Sequence, residues 1–291
     1  MSRLRSGDVV VITGASTGIG RAVALEFAKR RCRLILAARR IERLNEVARE
    51  CEKLGAECLS ISTDVSRAED VQLLADEAIN HWGQLDVWIN NAGVGAIGSF
   101  TEVPLREHQQ VLETNLFGYL HGAHAALKVF KRQKRGVLIN NASVCSRLAT
   151  PYLASYNASK FAIRGLTHSL RQDLAVEGLR DVHVCQINPG VIDTPAFQSA
   201  GNYSGKPLRI RIPMTKPETV ARKIVSLVER PRREVFVGPL TGIGTLAYTL
   251  LPAFTGAFLV WGMKRLYFNA DGNQPAKSGN VLRPSPSETF N

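Results

Sequence analysis

From Asp8 to about Val237 the chain alternates apolar runs of strand length with amphipathic segments of helix length, a pattern that admits few folds. Strands are predicted near 8–13, 33–38, 57–62, 86–90, 136–142, 181–188 and 234–238. Helices are predicted between them, near 18–30, 42–54, 67–80, 105–132, 152–178 and 217–229. Strands that are apolar throughout, each followed by a helix, belong to a parallel sheet covered on both faces. Right-handed crossovers then leave one natural solution, an α/β doubly wound parallel sheet of about seven strands. A chain of 291 residues with 45% hydrophobic content can bury such a core in one domain, predicted over residues 1–240.

The first strand runs straight into Gly14-Ala15-Ser16-Thr17-Gly18-Ile19-Gly20 and the start of a helix. In that setting Gly14 permits the tight turn, Gly18 lets the backbone approach a pyrophosphate, and Gly20 allows helix and strand to pack closely. The helix N-terminus adds unpaired N–H groups and the positive end of its dipole. A rival pattern overlaps it, because Gly14-Ala15-Ser16-Thr17-Gly18 also fits the G-x-S-x-G elbow of a serine hydrolase, with Ser16 as nucleophile. That chemistry needs an acid and a histidine downstream of an elbow that comes after several strands, and only His168 and His183 stand as default candidates. At the end of the second strand, where an NAD-binding protein offers an acid to the ribose hydroxyls, this chain has Arg39 and Arg40. A guanidinium pairs with a 2′-phosphate and a carboxylate repels it, so the predicted cofactor is NADP(H).

Six motifs occur in one register: Thr13-Gly14-x-x-x-Gly18-x-Gly20, Asn90-Asn91-Ala92-Gly93, Asn115, Ser143, Tyr156-x-x-x-Lys160 and Asn188-Pro189-Gly190. Over roughly residues 8 to 238 the chain thereby resembles the short-chain dehydrogenase/reductase family, whose fold is of Rossmann type. The resemblance implies an alcohol/carbonyl oxidoreductase with Tyr156 as general acid and base, Ser143 holding the substrate oxygen and Asn115 supporting a proton path. It implies Lys160 beside the tyrosine and on the nicotinamide ribose. It further implies cofactor contacts at Gly14, Ser16, Gly18, Ile19 and Gly20, at Asp64 and Val65 for adenine, and at Asn91, Ala92 and Gly93. Pro189, Gly190 and Thr194 would hold the nicotinamide amide, and homo-oligomers through helices 105–132 and 152–178 are usual in similar proteins.

Elementary chemistry asks for the same residue types. Hydride transfer to a carbonyl builds negative charge on its oxygen, which needs a proton donor and a second hydrogen bond. Tyr156 and Lys160 lie four apart on one helix face, from which an ammonium is expected to favour the tyrosinate. Without enzymatic function, the same fold would serve as an NADPH-binding sensor or a scaffold.

Three later segments break the alternation. Residues 193–216 lack periodicity and read as a lid, with Phe197, Tyr203 and Ile210 for an apolar ligand and Lys206, Arg209 and Arg211 for an anionic one. No charge occurs between Glu234 and Lys264, so residues 241–269 form an apolar extension. That extension reads as a membrane-dipping hairpin, an apolar wall of the substrate pocket or interface, or a transmembrane helix. Trp261, Tyr267, Lys264 and Arg265 suit an interfacial anchor. The polar end, 270–291, is predicted to be disordered.

The formal charge of +12 arises in clusters such as Lys29–Arg33, Lys131–Arg135 and Arg230–Arg233. Without interleaved aromatics these point away from nucleic acid and toward an anionic cofactor or an anionic leaflet. Five scattered cysteines with no C-x-x-C pair suit reduced thiols, and no metal site is expected. The predicted setting is cytoplasmic, either free or attached to the cytosolic face of a membrane, with a lipophilic carbonyl or alcohol as substrate.

Overall fold

The computed structural model describes residues 4–239, 241–268 and 272–284. The first half comprises β1 (Val9–Thr13), α1 (Gly18–Ala28), β2 (Arg33–Ala38), α2 (Ile41–Lys53), β3 (Glu57–Ser62), α3 (Ala68–Trp82) and β4 (Val87–Asn90). After the short β5 (Ala96–Ile97) come α4 (Leu105–Leu112), α5 (Gly118–Gln133), β6 (Gly136–Asn141), α6 (Ala154–Val176) and β7 (Val182–Pro189). Then come α7 (Ala196–Ser199) and β8 (Gly201–Asn202), which lead to α8 (Pro217–Glu229) and β9 (Glu234–Val237). Seven of the strands form one wholly parallel sheet in the order β3-β2-β1-β4-β6-β7-β9.

Why β1 is apolar from Val9 to Ile12 is visible in its two faces. Val10 and Ile12 pack with α1, α2 and α8 on one side, while Val9 and Val11 pack with α3, α5 and α6 on the other. Both sets are fully buried, so neither face tolerates a polar residue. The chain leaves β3 to restart at β4 on the opposite side of β1, which opens a crevice between the carboxyl ends of β1 and β4.

The helix predicted over 105–132 is not continuous. A π-helical turn at Glu113–Phe117 separates α4 from α5 and carries Asn115 inward, fully buried. Inserting one residue into a helical ladder rotates the turns beyond it, a device found often at functional sites.

The apolar extension forms two helices, α9 (Thr241–Leu250) and α10 (Pro252–Gly262), broken where Pro252 cannot continue the preceding hydrogen-bond ladder. Among the described residues no helix is long and apolar enough to cross a membrane, which removes the transmembrane-helix expectation. The tail also departs from its predicted disorder: residues 272–284 pack against the lid, and Val281 is fully buried. Its polar composition hides a single apolar anchor and a run of backbone pairing. Residues 270–271 and 285–291, the remainder of that expectation, lie outside the described residues.

Candidate active site

The carboxyl ends of β1, β4, β6 and β7 open into a cleft of about 390 Å³. At one end the turn after β1 holds the backbone close to its neighbour strand. Gly14 has φ +66°, and a Cβ there would lie 2.8 Å from the Ala92 Cα, so only glycine fits. Asn91 secures this turn, donating from Nδ2 to the carbonyls of Thr13 at 2.9 Å and Gly14 at 3.1 Å. Asn141 on β6 in turn donates to Asn91 Oδ1 at 2.8 Å, so three strand ends are pinned together. The first turn of α1 carries no acidic residue and its N-terminus faces the cleft, a ready site for phosphate.

Ser143 comes just after β6 in extended conformation and starts the turn Val144–Ser146, accepting from the Cys145 amide at 3.1 Å. The far side of that turn is tied down by a carboxylate. Glu234 on β9 accepts from Arg147 Nε at 2.8 Å and from Asn188 Nδ2 at 2.7 Å. Burial pushes Glu234 up, but the hydrogen bond and charge of Arg147, helped by Asn188, hold its carboxyl below the ordinary range. The pair therefore fixes the loop bearing Ser143 against the strand that leads to Pro189.

Tyr156 and Lys160 lie on the first turns of α6, facing the same cleft. Lys160 donates to the Asn141 carbonyl at 3.2 Å, and Tyr119 donates to the same oxygen at 2.6 Å. The lysine ammonium sits 5.4 Å from the Tyr156 ring centre and 5.0 Å from that of Tyr119. Burial pushes Lys160 down to about 8. Burial also pushes the Tyr156 phenol above its ordinary range, with Cys145 adding to the rise and a hydrogen bond from Ser143 opposing it. In the chain alone the phenol is thus raised by its own burial, with the Lys160 ammonium over its ring.

All the predicted site residues except Asn115 line this cleft: Gly14, Ser16, Gly18, Ile19 and Gly20 in the turn, Arg39 after β2, and Asp64 and Val65 after β3. Asn91, Ala92 and Gly93, then Ser143, Tyr156 and Lys160, then Pro189, Gly190 and Thr194 complete the set. Asn115 sits behind the wall. It accepts from the Val94 amide at 2.8 Å and donates to the Val94 carbonyl at 2.9 Å and to Ser159 at 3.2 Å. Ser159 donates on to the Tyr156 carbonyl at 2.7 Å, so Asn115 braces the tyrosine's own backbone. Neither His168 nor His183 lines the cleft that Ser16 lines, which leaves the hydrolase reading without a base.

The other end of the cleft is apolar and was less visible in sequence. Ile97, Leu153, Ile192, Phe197, Leu208 and Met263 line it, together with Tyr267. Met263, Tyr267 and Phe268, just past α10, pack with Ile97, Ala200 and Leu208, so the apolar extension supplies a wall of the site. Of the lid residues singled out in sequence, Phe197 lines the cleft, whereas Tyr203 turns away to donate to Glu107. Ile210 is not in the lining, and Lys206, Arg209 and Arg211 are exposed outside it.

A family model described as short chain dehydrogenase matches residues 8–203. Over 271 residues the chain is 33% identical to an uncharacterized oxidoreductase of Bacillus subtilis, covering 92% of this chain and 75% of that protein. It is 33% identical over 280 residues to 11-beta-hydroxysteroid dehydrogenase 1A of Arabidopsis thaliana, covering 91% and 77%. An alcohol dehydrogenase from Thermococcus sibiricus, solved with 5-hydroxy-NADP, superposes with TM-score 0.70 at 30% identity, covering 80% of this chain and 96% of that one. A short-chain dehydrogenase/reductase from Burkholderia phymatum, solved with NAD, superposes with TM-score 0.78 at 27% identity, covering 86% and 95%.

Proposed function

The chain belongs to the short-chain dehydrogenase family, and from that premise we propose that it is an NADP(H)-dependent oxidoreductase interconverting a lipophilic alcohol with its ketone or aldehyde. The observation that carries this reading is the convergence of Ser143, Tyr156 and Lys160 where the glycine-turn end of the cleft meets its apolar end. The residues present suit a dinucleotide: a turn with glycine at 14, 18 and 20, a helix N-terminus without a carboxylate, and Arg39 at the end of β2. When bound, the nicotinamide supplies or accepts the hydride.

Tyr156 then gives its proton to the substrate oxygen in reduction and takes it back in oxidation. A phenol held above its ordinary range stays protonated near neutrality, which suits the acid role. Ser143 donates the second hydrogen bond to that oxygen, and Lys160 lends its positive charge as the tyrosinate forms. Asn115 acts through position, by bracing the backbone of Tyr156 through Ser159.

The choice of NADP(H) rests on Arg39, since the two solved neighbours were captured with different cofactors, one an NADP derivative and one NAD. A lipophilic substrate is supported by the apolar lining from Ile97 to Met263, and the hydroxysteroid dehydrogenases among the relatives point the same way. On and between α9 and α10, Ile243, Leu246, Leu250, Leu251, Phe254, Phe258 and Trp261 are exposed beside Lys264 and Arg265. That face suits an anionic bilayer on the cytosolic side of a membrane. Exposed Phe117, Leu120, Phe161 and Val176 on and beside α5 and α6 suit a homo-oligomer. Co-sedimentation with anionic vesicles and light scattering check these two associations.

The central test is NADPH oxidation by the full chain over a panel of bulky apolar ketones and aldehydes. Turnover is expected; NADPH binding without turnover of any carbonyl would instead support the sensor reading.

A further inference from the structure

The end of the chain crosses back over the cleft. Gln274 donates its amide to the Gly205 carbonyl at 3.0 Å, Asn202 and Lys277 exchange backbone hydrogen bonds at 2.8 and 3.0 Å, and Asn280 donates to Ser199 at 2.7 Å. Residues 274–280 thus run antiparallel to lid residues 199–205. At Gly279 the backbone takes φ +59° and lies directly on the Ser199 carbonyl, where any side chain would collide. Val281 then drops, fully buried, among Val94, Ala96, Val103 and Val111 on the body of the fold.

From that anchor the segment reaches the adenosine end. The carbonyl of Asn280 accepts from Arg39 Nη2 at 2.7 Å, across 241 positions of sequence, and Asn280 and Pro284 stand in the cleft wall with Arg39. A guanidinium carries five N–H donors in a rigid planar fork, so a bond to a carbonyl on one edge sets the plane of the whole group.

Taking the cleft to bind NADP(H) as proposed above, we infer that residues 274–284 are a strap belonging to the cofactor site. The strap orients Arg39 toward the 2′-phosphate, closes over the adenosine end, and must lift from the lid before the cofactor leaves. The lid and the strap share their backbone hydrogen bonds, so cofactor bound under the strap also orders the wall of the substrate compartment. Linkage makes this reciprocal: the factor by which the strap tightens cofactor binding is the factor by which cofactor favours the closed strap.

NADPH release measured by stopped-flow fluorescence tests this on three proteins: the complete chain, Gly279→Val and a chain ending at Gly272. Gly279→Val and the shorter chain should release NADPH about tenfold faster, with Kd weakened to match, the size of one charge-assisted hydrogen bond and its packing. Hydrogen exchange across 274–284 should slow when NADPH is added to the complete chain. Unchanged release without the strap, or tighter binding without it, would overturn the inference. Failure of the complete chain to bind NADPH at all would instead overturn the cofactor reading on which it stands.

Discussion

The two ends of the cleft are built by opposite means. At the dinucleotide end, backbone does the shaping: Gly14 leaves room, the start of α1 presents its amides, and Asn91 and Asn141 lash β1, β4 and β6 together. Those parts lie at strand ends fixed by the sheet itself. At the apolar end, side chains do the shaping, and they come from the short β5 at Ile97, the lid at Phe197 and Leu208, and Met263 and Tyr267 past α10. Their positions depend on packing between segments that have little structure of their own. One end is therefore suited to a fixed ligand and a fixed reaction, the other to change without disturbing the first.

That division can be broken by experiment, beginning where the ends meet. Tyr156→Phe should fold and bind NADPH normally while turnover falls by about a thousandfold, the scale of a lost general acid. Fluorescence titration beside steady-state kinetics reads both, and retention of most activity would end the proposed mechanism. At the dinucleotide end, Arg39→Asp should move the ratio of kcat/KM for NADPH over NADH by about a hundredfold toward NADH, as expected when a charge pair becomes a repulsion. An unchanged ratio would mean that Arg39 does not read the 2′-phosphate.

At the apolar end, Met263→Trp should raise KM for a bulky ketone about tenfold, the cost of misfitting a hydrophobic pocket, with the NADPH Kd unchanged. Movement of both constants together would erase the distinction between the two ends. The smallest effect is in pH. Because burial holds Lys160 down at about 8 while it raises Tyr156, raising pH discharges the lysine first, with the phenol still protonated. Reductive kcat should thus be halved near pH 8 and keep falling above it, and Lys160→Arg should flatten that limb.

The same contrast decides what could be read in the sequence. The glycine turn and the Tyr156–Lys160 pair were legible because four or six residues of local spacing determine their geometry once strand and helix are assigned. Asn141 and Tyr119 were missed because what matters is a β6 carbonyl and a buried hydroxyl on α5, neither of which leaves a motif. The π-turn at Glu113–Phe117 escaped because a single one-residue shift of phase is small against the scatter of an amphipathic pattern that continues on both sides of it. Met263 and Tyr267 sit more than a hundred residues after Tyr156, in a stretch apolar on every side, so nothing in the pattern said which residues turn inward. The tail was misread for a related reason: a polar composition rich in proline, serine and glycine outweighed one valine, although that valine is what anchors it.

The outer faces of α9 and α10 are bare and apolar, while the turn that ends α10 is a wall of the reaction chamber. Two environments are therefore separated by a single layer of polypeptide, so a substitution on the outer face tilts the same element that shapes the chamber. On the proposed reading, where the protein resides and what it accepts are set by one stretch of chain, and a substitution there is expected to move both.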